Sequence, residues 1–178
     1  MNAATFDSRD LKRYIRDIPD FPKPGILFRD ITPLLQNGAM FRKAINQFSD
    51  RYTTKQLDAV VAVESRGLIF GAALADRLGV GLVLVRKAGK LPHKTVKATY
   101  TLEYGEGTLE MHEDSLSHGL RVVLIDDLLA TGGTTGAVVT MLEHFHVELV
   151  EISFLVELVA LEGRKRLGHH PVFSLIQY

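Results

Sequence analysis

Residues 122–135 read Val-Val-Leu-Ile-Asp-Asp-Leu-Leu-Ala-Thr-Gly-Gly-Thr-Thr, and no other stretch restricts the possible folds as tightly. Val122, Val123, Leu124 and Ile125 form the short unbroken apolar run of a strand buried on both faces. The run ends in adjacent carboxylates, Asp126 and Asp127, followed by a turn rich in Thr and Gly. A helical pattern then begins at Gly133, with Val138, Met141, Leu142 and Phe145 on one face. Strand, turn and helix in that order belong to a parallel α/β sheet, and in such sheets ligands bind just beyond the carboxyl ends of the strands.

The chemistry of the turn follows from its residue types. Gly132 and Gly133 permit positive φ and let the backbone approach a bulky anion. Successive N–H groups in such a turn make a concave anion nest, and the next helix points its positive end at the same place. Thr131, Thr134 and Thr135 add hydroxyl donors. No Lys follows the glycines, so this is not the Lys-bearing loop of the nucleoside-triphosphatases. Residues 130–134 are therefore predicted to hold a phosphomonoester. Asp126 and Asp127 would repel a phosphate, and suit hydroxyl donors or a divalent metal. A ligand with vicinal hydroxyls beside a phosphate is a ribose 5-phosphate.

The rest of the chain has the composition of an ordinary globular protein. Its 178 residues suit a single domain over 1–178, with 46% hydrophobic content and a formal charge of +0. That balance argues against bulk attraction to nucleic acid or an anionic membrane. With no cysteine, there is neither a disulfide framework nor a thiolate metal site. Residues 1–10 lack the apolar core of a signal peptide, and the longest apolar run, Leu68 to Ala75, is too short to span a bilayer. A cytoplasmic location is the expectation. The seven histidines form no metal set; among them His93, His112, His144, His146 and the His169-His170 pair suit surface or helix-end roles.

Periodicity places the elements. Ser8 is expected to cap a helix with Leu11, Tyr14, Ile15 and Ile18 on its apolar face, ended by Pro19. A turn over Pro22–Gly25 leads to an extended piece at residues 26–28, and a second amphipathic helix covers 39–52. Strands are predicted at 57–63, 81–85, 120–125 and 149–156, with helices at 67–78 and 133–145. Alternating short runs around Gly105-Glu106-Gly107 read as a hairpin over 99–112, preceded by a mobile loop at 88–98.

Two more strand ends carry charge. Arg66 follows the strand ending Val61-Ala62-Val63, within Glu64-Ser65-Arg66-Gly67, and its guanidinium fork suits a pyrophosphate; Ser65 as a helix cap with a solvated Arg66 is the plainer reading. Arg86, Lys87 and Lys90 follow the strand at 82–85, where a cluster of cations suits a polyanionic substrate or simply an exposed basic loop.

These segments resemble the type I phosphoribosyltransferases. Residues 125–134 are similar to the family's phosphoribosyl pyrophosphate (PRPP) signature. The adenine branch is indicated by Phe21-Pro22-Lys23-Pro24-Gly25-Ile26-Leu27-Phe28-Arg29-Asp30, by Glu64-Ser65-Arg66-Gly67, by Arg86-Lys87-Ala88-Gly89-Lys90-Leu91-Pro92 and by Leu102-Glu103-Tyr104-Gly105. The likeness runs from about residue 10 to the C-terminus. One departure is Leu68, where the family usually has Phe.

The resemblance implies an α/β fold with a mainly parallel central sheet flanked by helices. It adds an N-terminal hood over about 1–36 and an inserted β-hairpin and flexible loop over about 88–112. It implies transfer of 5-phosphoribosyl from PRPP to adenine, giving AMP and diphosphate; hypoxanthine, guanine or xanthine as the base, or a non-catalytic PRPP-binding regulator, are the alternatives. On this likeness, Ala130, Thr131, Gly132, Gly133 and Thr134 bind the 5-phosphate, and Asp126 and Asp127 bind the ribose hydroxyls. Glu64, Ser65, Arg66, Arg86, Lys87 and Lys90 bind the pyrophosphate, with a cis peptide at Glu64–Ser65. Leu27, Phe28, Arg29 and Leu158 hold adenine, although residue type alone would make both leucines ordinary core. Glu103 is the implied catalytic acid/base, in a position where a hairpin Glu is ordinarily solvated, and Tyr104 belongs to the same closing loop. Mg²⁺ is expected to arrive with the substrate and water, with no metal ligands from the protein. A homodimer is implied, since loop cations in the family serve a neighbouring subunit's site.

Overall fold

The computed structural model describes residues 8–102 and 105–178. Helix α1 (Ser8–Lys12) is followed by strand β1 (Arg16–Pro19), which pairs antiparallel with β2 (Leu27–Asp30). The helix expected to run to Ile18 therefore stops early. Turn hydrogen bonds from the Tyr14 and Ile15 N–H groups to the Leu11 and Lys12 carbonyls close it (3.0 and 3.1 Å), and Ile18 lies opposite Phe28 in a ribbon. Leu11 and Ile15 are still buried, so the apolar spacing marked the core correctly while the backbone conformation changes midway. Ion pairs Arg16–Asp30 and Arg29–Asp17 staple the ribbon, whose connecting turn contains a cis Phe21–Pro22 bond.

Helix α2 (Thr32–Gln36), which periodicity did not predict, has Pro33 in its first turn. Helix α3 (Gly38–Tyr52) is capped by the Asn37 side chain, which accepts the Met40 N–H at 3.1 Å. Its buried face contains Ala44, Ile45 and Phe48, as the pattern indicates.

The remaining chain builds the sheet. Its elements are β3 (Ala59–Val63), α4 (Gly67–Leu78), β4 (Gly81–Lys87), β5 (Thr95–Leu102), β6 (Gly105–His112), β7 (Arg121–Leu129), α5 (Gly133–His144), β8 (Glu148–Glu157) and β9 (Val172–Gln177). Two 3₁₀ turns, at Val159–Leu161 and Gly163–Arg166, join β8 to β9. Among the described residues the strand order is β5-β6-β4-β3-β7-β8-β9. Strands β4, β3, β7, β8 and β9 are parallel, and β6 and β5 continue the sheet antiparallel from β4.

Alternation along the buried strands sends side chains to both faces. Val60, Ala62, Val123 and Ile125 pack with Leu34, Phe48, Phe70 and Leu74 of α2, α3 and α4. Val61, Val63, Val122 and Leu124 pack with Val138, Met141 and Leu142 of α5. The helix after β3 thus covers one face and the helix after β7 the other: β3 leads to β4 on one side and β7 to β8 on the other, so the order of strands reverses between β3 and β7. Such a switch point opens a crevice at the strand ends.

Three boundaries differ from expectation in ways that matter for function. Strand β7 continues through both aspartates to Leu129; its pairing with β3 stops at Ile125, whereas Asp126, Leu128 and Leu129 remain paired to β8. One side of residues 126–129 is therefore open. The glycines do not form the hairpin's turn: Gly105 and Gly107 lie within β6, opposite Leu102 and Tyr100. The ring of Tyr100 comes within 2.5 Å of where a Cβ on Gly107 would stand, so this glycine serves cross-strand packing. Thr95–Ala98, read as part of a loop, belong to β5, and the hairpin forms the sheet's edge. No helix of the described residues is long and apolar enough to cross a membrane.

Candidate active site

A cavity of about 320 Å³ lies at the switch point, lined by Glu64, Ser65, Arg66, Lys87, Asp126, Asp127 and residues 130–135. The ends of three neighbouring strands, β3, β4 and β7, thus meet at one hollow with the predicted phosphate loop. A larger hollow of about 520 Å³ is lined by side chains of α3 alone, among them Arg42, Asn46 and Asp50.

Asp126 and Asp127 are both buried, yet they sit in different surroundings. Asp126 accepts the N–H of Asp127 at 2.8 Å, and a Cβ on Gly67 would stand 2.6 Å from its Oδ1. The glycine at the start of α4 therefore lets this carboxyl lie against the helix N-terminus. Burial, and then the neighbouring charge of Asp127, push the Asp126 carboxyl well above the ordinary carboxylate range. Asp127 instead accepts from Nε of Arg66 at 2.5 Å. The Arg66 guanidinium also lies 5.6 Å from the centre of the Phe28 ring.

Behind Arg66, Glu64 joins β3 to the basic loop. The bond between Glu64 and Ser65 is cis. Glu64 accepts from the Arg86 guanidinium (3.2 and 3.4 Å) and from the Lys87 N–H (3.1 Å). Burial opposes its ionisation, but these donors outweigh it and leave its carboxyl below the usual value. Arg86 also donates to the carbonyl of Lys90 at 3.1 Å. Arg86 is thus a brace between the two loops, while Lys87 faces the cavity and Lys90 does not line it. The N–H groups of Lys90 and Leu91 are fixed by buried Glu110 at 3.1 and 3.2 Å.

Of the two glycines expected to permit positive φ in the loop, Gly132 adopts it, while Gly133 is the first residue of α5. Gly132 adopts φ 80° and ψ 2° and precedes α5, and the Gly136 N–H donates to its carbonyl at 2.8 Å. Residues 130–134 all line the cavity, joined by buried Thr135.

The candidate base-binding residues are near the rim and outside the cavity's lining. Leu27 is exposed on β2, and Phe28 faces Arg66. The Arg29 guanidinium pairs with Asp17 and covers the Tyr178 ring at 3.8 Å. Leu158 follows β8 and donates its N–H to Leu129, the last residue of β7, at 2.9 Å. Glu103 and Tyr104 lie outside the described residues. Sequence reasoning missed Tyr100, Leu109 and Leu128 as lining residues. No sequence signal marked Tyr100, because its place opposite Gly107 depends on the register of the hairpin. Among the described residues, no group of three or more His, Asp or Glu is arranged to hold a metal ion.

A glycine-bearing loop at a helix N-terminus, a buried acid pair and the cations Arg66 and Lys87 share one cavity, an arrangement that suits a ligand with a phosphate at one end, hydroxyls in the middle and further anionic charge beyond. Residues 30–176 match the family described as phosphoribosyl transferase domain. The chain is 56% identical over 169 residues to an adenine phosphoribosyltransferase of Roseiflexus sp. (strain RS-1), covering 95% of this chain and 98% of the relative. The adenine phosphoribosyltransferase of Thermoanaerobacter pseudethanolicus has a similar structure, with TM-score 0.93 and 46% identity over 97% of this chain and 100% of that one. A further similar structure (TM-score 0.90, 41% identity, 94% of this chain and 97% of that one) is the Saccharomyces cerevisiae adenine phosphoribosyltransferase, complexed with an imino-altritol bisphosphate and adenine.

Proposed function

The chain belongs to the phosphoribosyltransferases, and within them to the adenine branch, and from that premise we propose how its residues divide the work of joining adenine to PRPP. The reaction breaks the bond from C1′ of the sugar to the diphosphate oxygen and forms a bond from C1′ to N9 of adenine. AMP and diphosphate are the products. The observation that carries the assignment is the single cavity shared by residues 130–135 and both aspartates.

In this reading the 5-phosphate sits on the amides and hydroxyls of residues 130–134, at the N-terminus of α5. Asp126 and Asp127 accept from the ribose hydroxyls. As the C1′–O bond lengthens, the sugar gains oxocarbenium character, and the acid pair beneath it favours that positive charge. Arg66 exchanges Asp127 for the departing diphosphate, releasing the acid for the sugar as it does so. Lys87 supports the same anion and Lys90 joins when its loop closes, with Glu64 and Arg86 bracing the two loops. Adenine lies between Leu27 and Phe28 on one side and Leu158 on the other, with the backbone about Arg29 reading its edge. Glu103 takes the N9 proton, and closure of the loop carrying Tyr104 excludes water, which would otherwise hydrolyse the activated sugar.

Mg²⁺ fits this donor set as a companion of the substrate: of the three carboxylates at the cavity, Glu64 is engaged by Arg86 and Asp127 by Arg66, which leaves too few for a protein cage, and Mg²⁺ ordinarily keeps its waters and binds phosphate oxygens. Its contribution would be to neutralise charge on the diphosphate. The protein is proposed to act in the cytoplasm as a homodimer. Support for the dimer comes from Ile69 on α4 and from Leu82 and Leu84, two residues apart on β4, all large apolar side chains left exposed.

A spectrophotometric assay of AMP formation from adenine and PRPP, with guanine and hypoxanthine as controls, tests the assignment. Turnover with adenine alone is expected. Preference for another base, or no nucleotide from any of them, would overturn it.

A further inference from the structure

The predicted phosphate loop is backed by a second loop, and their nearest approaches are glycine to backbone. A Cβ on Gly132 would overlap the carbonyl oxygen of Gly163 and stand 3.3 Å from Cβ of Arg166. Conversely, a Cβ on Gly163 would overlap the carbonyl oxygen of Ala130 and stand 2.8 Å from Cδ1 of Leu129. The contact is reciprocal, glycine against backbone in both directions. The closest atom in each direction is a backbone carbonyl oxygen, which no rotamer change can move, so a shift of residues 163–166 is passed to residues 130–132.

What fixes residues 163–166 is an ion pair outside the cavity, between a buried carboxylate and a partly exposed guanidinium. Glu157, the last residue of β8, is only 4% exposed. Arg164 donates to it twice, through Nε and Nη2, each at 2.6 Å, and gives a third bond from Nη1 to the carbonyl of Val172 at 3.1 Å. The Ser174 hydroxyl (2.7 Å) and the Gln177 amide (3.1 Å) complete the ring of donors around the same carboxylate. Arg164, followed by the other donors, holds the Glu157 carboxyl down at about 2. A planar fork on a donor-saturated carboxylate is a geometrically specific fastening, and here it ties the 3₁₀ turn to both β8 and β9.

We propose that the Glu157–Arg164 pair is a positioning device for the phosphate cradle, setting its affinity for a 5-phosphate through Gly163 without touching the ligand. The inference rests on the assignment of residues 130–134 to the 5-phosphate. Preorganised donors lose strength when displaced by a fraction of an ångström, so the effect is confined to ligands that carry that phosphate.

The test compares wild type with Arg164→Met and Arg164→Lys, measuring ribose 5-phosphate binding by calorimetry and KM for PRPP and for adenine. In Arg164→Met, ribose 5-phosphate affinity should fall by about 10- to 100-fold, with a parallel rise in KM for PRPP. KM for adenine should stay within about 2-fold. Arg164→Lys, which keeps the charge and loses the fork, should lie between the two. Unchanged ribose 5-phosphate affinity, or equal rises in both KM values, would overturn the proposal. Should Arg164→Met not fold, Gly163→Ala is read by the same criteria, since its methyl group presses directly on the Ala130 carbonyl. Failure of the underlying assignment looks different: wild type itself would neither bind ribose 5-phosphate nor form AMP.

Discussion

Asp126 is forced toward its neutral form by burial and by its neighbour's charge, whereas Asp127 has Arg66 as a counter-ion. A buried aspartate with a raised pKa works against folding. The penalty is absent below the ordinary carboxylate range, grows as pH rises, and is complete above the raised value of the folded state. Asp126→Asn should therefore abolish most activity and yet stabilise the protein at pH 7 by about 0.5–2 kcal/mol. Thermal unfolding at pH 7 and pH 4 checks this, and the gap to wild type should narrow at the lower pH; a variant less stable at both would show that Asp126 is no burden. Glu103 belongs to a different class, since its role concerns a proton in the transition state. Glu103→Gln should lower kcat by roughly 10²–10⁴-fold with the KM values little changed, and near-normal turnover would remove it from that role. At this scale the acids and glycines of residues 126–133 were legible because strand end and residue type together imply their chemistry. The bracing of Glu64 by Arg86 was not, since partners 22 residues apart meet only once β3 and β4 are paired.

The turn between β7 and α5 depends on Gly132 twice, for its φ of 80° and for its contact with Gly163. Gly132→Val introduces a β-branched side chain against both constraints and should weaken PRPP binding by about 10²-fold or more, measured by calorimetry. Unchanged affinity would contradict the nest. Elements with an unbroken apolar run or a clear helical period, namely β3, α4, β7 and α5, were readable in advance. Helix α2, only 5 residues long, is too short to display a period. The β1–β2 ribbon was hidden because Leu11, Ile15 and Ile18 satisfy helical spacing equally well when the chain turns and becomes extended. The glycines of β6 were taken for a turn because their places opposite Leu102 and Tyr100, with Gly107 making room for the Tyr100 ring, depend on register, which local sequence does not carry.

As a whole, the molecule places its substrate where β3 and β7 send their helices to opposite faces, and it leaves an apolar patch on α4 and β4. If that patch is the dimer contact, Leu84→Glu should shift the protein from dimer to monomer in sedimentation equilibrium. A variant that remains dimeric would move the interface elsewhere. The fold class followed from strand–helix alternation, and the topology explains why three separated charged segments share one cavity. Their meeting on a single sugar is most directly tested by a crystal structure with AMP and diphosphate bound. The account predicts the phosphate on the amides of residues 131–134 and the ribose hydroxyls on Asp126 and Asp127, with Arg66 turned away from Asp127. A phosphate bound elsewhere, or ribose hydroxyls remote from both acids while Arg66 keeps its ion pair, would contradict it.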